Sequence, residues 1–151
     1  MSQPPSAILF ACTYNSVRSP MAEALMKRLF GTRVFVDSVG VKAGEPDGFM
    51  IAVMEEEGID MRRHRAKTFE HLDDTSFDLV ISLSPEAQHK AVDLTRHMAC
   101  EVEYWPTFDC TAVDGDREAR LEAYRKVRDD LKRRLLARFS KPKMASYEAR
   151  D

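Results

Sequence analysis

Short apolar runs that alternate with stretches of helical periodicity restrict this chain to a narrow set of folds. The run Ala7-Ile8-Leu9-Phe10-Ala11-Cys12 is apolar on both faces and too short for a helix, as expected of a strand buried inside a parallel sheet. After a polar loop, Ser19-Pro20 with Glu23 close behind signals a helix start, and Met21, Leu25 and Leu29 repeat on one face until Gly31. The alternation continues. Val34-Phe35-Val36 reads as a strand, and Asp47 caps a helix carrying Met50, Val53 and Met54 that stops at Gly58. Phe77 to Leu83 reads as the third strand, Pro85 opens a helix toward Leu94, and Cys100 to Tyr104 reads as a weaker fourth strand. Residues 117–139 give the clearest helix, with Leu121, Tyr124, Val127, Leu131, Leu135 and Phe139 every three or four positions among charged residues. Strands alternating with helices of this length predict an α/β protein in three layers, a parallel sheet with helices on both faces.

At 151 residues, 44% hydrophobic and 32% charged, the chain is one domain's worth of sequence with no low-complexity character. The expected division is a domain over residues 1–140 and a C-terminal tail over 141–151. Residues 1–110 carry 11 basic and 17 acidic side chains, and residues 111–151 carry 12 and 8. That balance does not favour a nucleic-acid partner, and the basic face of the last helix reads as a solvated surface. Apolar runs reach only five or six residues, far short of the roughly 18 that span a bilayer, so no membrane partner is expected. Met1-Ser2-Gln3-Pro4-Pro5-Ser6 has no positive charge before the first apolar run, which predicts no secretory leader and a cytoplasmic protein. Cys12, Cys100 and Cys110 are odd in number and lack CxxC spacing, against both a disulfide framework and a metal site.

In sheets of this kind ligands bind beyond the carboxyl ends of the strands. The first such loop is Cys12-Thr13-Tyr14-Asn15-Ser16-Val17-Arg18-Ser19. A cysteine and an arginine six positions apart are weak evidence by spacing alone. Here, however, the cysteine ends a buried strand and the arginine opens a helix, so the N–H groups of Thr13 through Arg18 can curl around one point above the helix N-terminus and seat an oxyanion. A thiolate is the nucleophilic form of cysteine, and the ordinary thiol is mostly protonated at neutral pH. A helix N-terminus supplies roughly 0.3–1 kcal/mol to an exposed anion, against about 1.4 kcal/mol for each pKa unit. Loop amides, Arg18 and a hydroxyl such as that of Ser19 are therefore expected to share the task. The planar fork of Arg18 also suits two oxygens of a tetrahedral anion.

The stretches Ile8–Cys12 and Arg18-Ser19-Pro20-Met21-Ala22-Glu23-Ala24 resemble the signature of the low-molecular-weight protein tyrosine phosphatases and the related arsenate reductases. Asp37-Ser38-Val39-Gly40, Glu57-Gly58-Ile59-Asp60, His64-Arg65-Ala66-Lys67 and Phe77–Ile81 extend the likeness along most of the chain. The resemblance implies a four-stranded parallel sheet of flavodoxin-like order 2-1-3-4, with no metal and no organic cofactor. It also implies that Cys12 attacks phosphorus, that Arg18 grips the anion, and that Asp109 serves as acid and then base. Ser38 and His64 would hold the loop asparagine, Asn15. On the residues alone, Asp114 and Asp116 compete with Asp109 for the acid's role. The implied ligands are a phosphorylated protein or small phosphomonoester and the inorganic oxyanions phosphate, arsenate and vanadate.

Several residues depart from the family's pattern. Tyr14 stands where glycine is usual and is costly if the loop needs a positive φ there. Val17 replaces a second loop cysteine, and Cys110 replaces the proline after the acid, which raises the idea of a reversible Cys12–Cys110 pairing under oxidation. The tyrosines that follow the acid in eukaryotic phosphatases are absent. Hydrolysis of phosphomonoesters, phosphotyrosine among them, is the expected activity. The alternatives are arsenate reduction with an external thiol, since Ser82-Leu83-Ser84 offers no relay cysteines after the third strand, and a non-catalytic oxyanion-binding regulatory module.

Overall fold

The computed structural model describes residues 3–72 and 76–139. Four strands, β1 (Ala7–Cys12), β2 (Phe35–Gly40), β3 (Leu79–Ser82) and β4 (Glu101–Tyr104), alternate with four helices, α1 (Arg18–Phe30), α2 (Gly48–Glu55), α3 (Pro85–Leu94) and α4 (Arg117–Arg138). All strand pairs are parallel and the order is β2-β1-β3-β4. The expected sheet and strand order are both observed.

The two-residue period of a strand divides the core between two faces. Ile8, Phe10 and Cys12 of β1 join Met21, Leu25 and Met26 of α1, Met50 and Val53 of α2 and Leu131 and Leu135 of α4 in one cluster. Leu9 and Ala11, pointing the other way, pack with Val39, Val80 and with Ala87 and Ala91 of α3. Burying each large aliphatic or aromatic side chain is worth about 1.5–3 kcal/mol, and β1 is buried on both sides from Ile8 to Cys12. That strand anchors the site.

Local chemistry explains the element ends. The Asp47 carboxylate accepts from Met50 N at 3.0 Å and caps α2, Ser84 accepts from Ala87 N ahead of Pro85 in α3, and Asp116 accepts from Ala119 N at 2.8 Å in α4. β2 runs to Gly40, further than its apolar residues suggest, because Ser38 and Asp37 find partners in Asn15 and Lys67. β3 is shorter than the apolar run Phe77–Leu83: Asp78 exchanges main-chain and carboxylate bonds with Ala7 before the ladder begins. The basic face of α4 is largely neutralised within the fold, Arg125 pairing with Glu56 and Glu118, Arg134 with Asp130 and Arg138 with Glu103. The tail expected over residues 141–151 lies outside the described residues.

Candidate active site

The carboxyl ends of β1, β2 and β3 meet around the loop between Cys12 and Arg18. The segment after β2 lies alongside it and takes its carbonyls: Val41 N donates to Cys12 O, Lys42 N to Thr13 O and Gly44 N to Tyr14 O, at 2.9–3.1 Å. With the carbonyls used on that side, the N–H groups of Tyr14 through Val17 have no protein partner among the described residues. They are available to an anion, above the first turn of a 13-residue helix. The contact between the two segments is close. A Cβ on Gly40 would fall 2.5 Å from Lys42 O and 2.7 Å from Asn15 N, so only glycine fits there.

Asn15 has φ of 55°, the one left-handed non-glycine among the described residues, and the surrounding bonds hold it there. Its Nδ2 donates to Ser19 Oγ and Ser38 Oγ, each at 2.9 Å. Its Oδ1 accepts from Lys67 N at 3.0 Å. His64 Nε2 lies 2.8 Å from Asn15 O, so that ring nitrogen carries the proton. Ser38 and His64 are thus both in hydrogen-bond contact with Asn15.

The Cys12 thiol is 2% exposed, 2.9 Å from Ser19 Oγ and 3.4 Å from the Ser19 N–H that donates to it. Arg18, 8% exposed, donates through Nη1 to Thr107 O at 3.0 Å, which leaves other guanidinium N–H groups for an anion. Thr107 lies two residues before Asp109, so the arginine ties the Asp109 loop to the loop between Cys12 and Arg18. Asp109 is exposed, and its Oδ1 accepts from Thr111 N at 3.0 Å and Thr111 Oγ1 at 2.6 Å. Oδ2 has no hydrogen-bond partner among the described residues. Of the competing aspartates, Asp116 is spent on the α4 cap.

Thr13 donates to Ser84 Oγ or Glu86 Oε1 at the start of α3. Ser16 Oγ lies against Tyr14 O, and Val17 is buried at the helix entry. Tyr14 does not carry the positive φ that would have made its side chain costly; that conformation falls on Asn15. Its bulk is met by glycine elsewhere, since a Cβ on Gly44 would lie 2.9 Å from Tyr14 Cβ. The left-handed backbone cost expected at Tyr14 is therefore absent.

Cys110 is buried beside this site, and its thiol is pushed up to about 12 by burial and by the charges of Asp109 and Asp47. A thiol held protonated is a poor attacking partner for Cys12. Ser82 and Ser84 are also buried, the first bonded to Gln88 and the second capping α3. A cleft of about 270 Å³ opens beside the loop between Asn15, Ser16, Glu45, Pro46, His64, Arg65 and Ala66. A larger one of about 450 Å³ lies behind α1 and is not lined by Cys12. Neither cleft is lined by Cys12, so the candidate anion seat is the set of unpaired main-chain N–H groups of the loop. Among the described residues no cluster of histidine, cysteine or carboxylate side chains is arranged to hold a metal, and no helix is long and apolar enough to cross a membrane.

Thr107, Lys67, Gly40 and Glu23 contribute to the site through main-chain atoms, close approach or a partner's hydroxyl. A single sequence gives no side-chain signal for the first three. Known proteins are similar to this chain along most of its length. The chain is 30% identical over 128 residues to an arsenate reductase of Bacillus subtilis, covering 85% of this chain and 91% of that protein. It is 31% identical over 143 residues to the glutaredoxin arsenate reductase of Synechocystis, covering 88% and 98%. The low molecular weight protein tyrosine phosphatase of T. tengcongensis superposes with a TM-score of 0.69 at 26% identity, over 85% of this chain and 93% of that one. The sequence model of the low molecular weight phosphotyrosine protein phosphatases matches residues 7–143, and with the cysteine-arginine loop at the end of β1 it makes this chain a member of that family.

Proposed function

We propose that this chain is a cysteine-dependent phosphatase that hydrolyses phosphomonoesters, aryl phosphates such as phosphotyrosine among them, through a phosphocysteine intermediate. The observation that carries the reading is the Cys12 sulfur itself, held by the Ser19 hydroxyl and N–H at the mouth of a loop whose own N–H groups are unpaired. Donors fixed around the place where charge resides in the transition state need no reorganisation during reaction. In the first step the Cys12 thiolate attacks phosphorus, the P–O bond to the leaving group breaks, and Asp109 Oδ2 gives its proton to the departing oxygen. Arg18 and the loop amides hold the three equatorial oxygens. In the second step the Asp109 carboxylate takes a proton from water, the water oxygen attacks phosphorus, and the S–P bond breaks to restore the thiolate. Phosphate is released.

Steady-state hydrolysis of p-nitrophenyl phosphate tests this. Parent protein turns over and is inhibited competitively by phosphate and vanadate. Cys12→Ser loses activity by at least a thousandfold, and Asp109→Ala by about a hundredfold, within the range for loss of a general acid. A Cys12→Ser protein as fast as its parent ends the proposal.

Arsenate reduction is the second reading, favoured by the names of the Bacillus subtilis and Synechocystis relatives. Arsenate would bind the same loop, and Cys12 would form the adduct. Serines stand at the end of β3 and just after it and the Cys110 thiol is held protonated, so an external thiol, a small thiol or a glutaredoxin, would attack the Cys12 sulfur of the adduct. Arsenite would leave with the two electrons as a Cys12 mixed disulfide forms, and a second external thiol would reduce that disulfide. Assaying p-nitrophenyl phosphate and arsenate side by side, with and without each reductant, separates the readings.

A further inference from the structure

The geometry points to Glu23 as a positioning residue that directs the Ser19 proton onto the Cys12 sulfur, through Ser38 and Asn15. This deepens the reading above, whose nucleophile it serves.

The chain of bonds has one consistent direction. Asn15 Oδ1 accepts from Lys67 N–H, so the amide nitrogen is the donor end and gives one hydrogen to Ser38 Oγ and one to Ser19 Oγ. Each hydroxyl, having accepted, has one proton left to place. Ser38 places its proton on Glu23 Oε1 at 2.6 Å. Ser19 has the Cys12 sulfur at 2.9 Å and Val39 O at 3.3 Å within reach, and the nearer acceptor is the sulfur. Lys27 Nζ takes the other oxygen, Glu23 Oε2, at 2.5 Å and fixes which oxygen faces Ser38. Asn15, Ser19 and Ser38 are each no more than 1% exposed, so water cannot substitute for a lost partner without opening the core. Remove the carboxylate and the Ser38 hydroxyl has no acceptor. It then turns back toward Asn15 Nδ2, donor against donor, and the asparagine loses the anchor that aligns its second N–H with Ser19. Glu23 is on α1 and touches no part of the anion seat, so its effect passes through Ser19.

The test is the alkylation rate of Cys12 by iodoacetate at neutral pH, read site by site by mass spectrometry, with the thermal midpoint measured on the same samples. Glu23→Ala is expected to slow alkylation about tenfold, and Glu23→Gln, which keeps an oxygen acceptor for Ser38, to stay within threefold of the parent. In a Ser19→Ala background the further change Glu23→Ala is expected to alter the rate by less than twofold, because the group through which it acts is gone. A tenfold loss that persists without the Ser19 hydroxyl, or a folded Glu23→Ala protein that alkylates at the parental rate, overturns the proposal. Should Glu23→Ala not fold, Ser38→Ala cuts the chain one bond nearer the sulfur and must give the same loss and the same dependence on Ser19. Alkylation needs no turnover. A chain that fails to hydrolyse phosphate esters yet shows this pattern would overturn the phosphatase reading and leave the Glu23 assignment standing.

Discussion

At the scale of single residues, chemistry divides two identical side chains. Cys12 ends a strand and meets donors, whereas Cys110 sits in a core cluster where burial first, and then the nearby Asp109 and Asp47, raise its thiol to about 12. Iodoacetamide at pH 8 is therefore expected to leave Cys110 unmodified in the native protein and to label it fully in urea; native labelling comparable to that of a free thiol would show that burial does not protect it. The sequence identifies Cys12 by its position before a polar loop and a helix start. It leaves Cys110 ambiguous, because its burial depends on a core cluster that β1, α1, α2 and α4 build together. Tyr14 teaches the same lesson in reverse. A tyrosine in a tight loop reads as a strained residue, yet the left-handed conformation belongs to Asn15 and the room for the ring comes from Gly44, 30 positions away.

At the scale of elements, every helix and strand predicted from periodicity exists, and the differences lie at the ends. Asp116, read as a competitor for the acid's role, proves to cap α4, whereas the cap Asp47 carries a local side-chain signal and is legible. The extension of β2 through Asp37 and Ser38 is not, because it depends on partners in other elements. Contacts between elements also carry the pH response. The Arg125 and Arg128 guanidinium groups of α4 lower Glu56, at the end of α2, from an ordinary 4.5 to about 2. Its folded value is depressed, so the stabilisation is complete above the ordinary value and is lost as pH falls from about 4.5 toward 2. The Glu56 side chain is 38% exposed, and solvent screening limits the contribution to about 1 kcal/mol. Urea midpoints measured over this interval are expected to fall with pH, and Glu56→Gln is expected to flatten that fall. An unchanged slope in the variant would assign the acid response to other carboxylates, among them Glu103, which Arg138 also lowers.

At the scale of the whole molecule, the order β2-β1-β3-β4 places the loops after β1, β2 and β4 at one rim. The βα alternation makes a parallel sheet legible in the sequence, and the cysteine-arginine loop makes the anion seat legible. The tie between the two halves is not: Arg18 reaches a carbonyl of Thr107, 89 positions away, and so joins the loop of Asp109, the proposed acid, to the loop opened by Cys12, the proposed nucleophile. The proposed activity requires a covalent bond between phosphorus and one sulfur. Mixing the Asp109→Ala protein, in which breakdown is slowed, with p-nitrophenyl phosphate, quenching within the first turnover and mapping the peptides by mass spectrometry tests that bond directly. The predicted result is one phosphoryl group on Cys12, absent from Cys12→Ser. Turnover by the parent with no phosphoryl group on Cys12 at any quench time would contradict it.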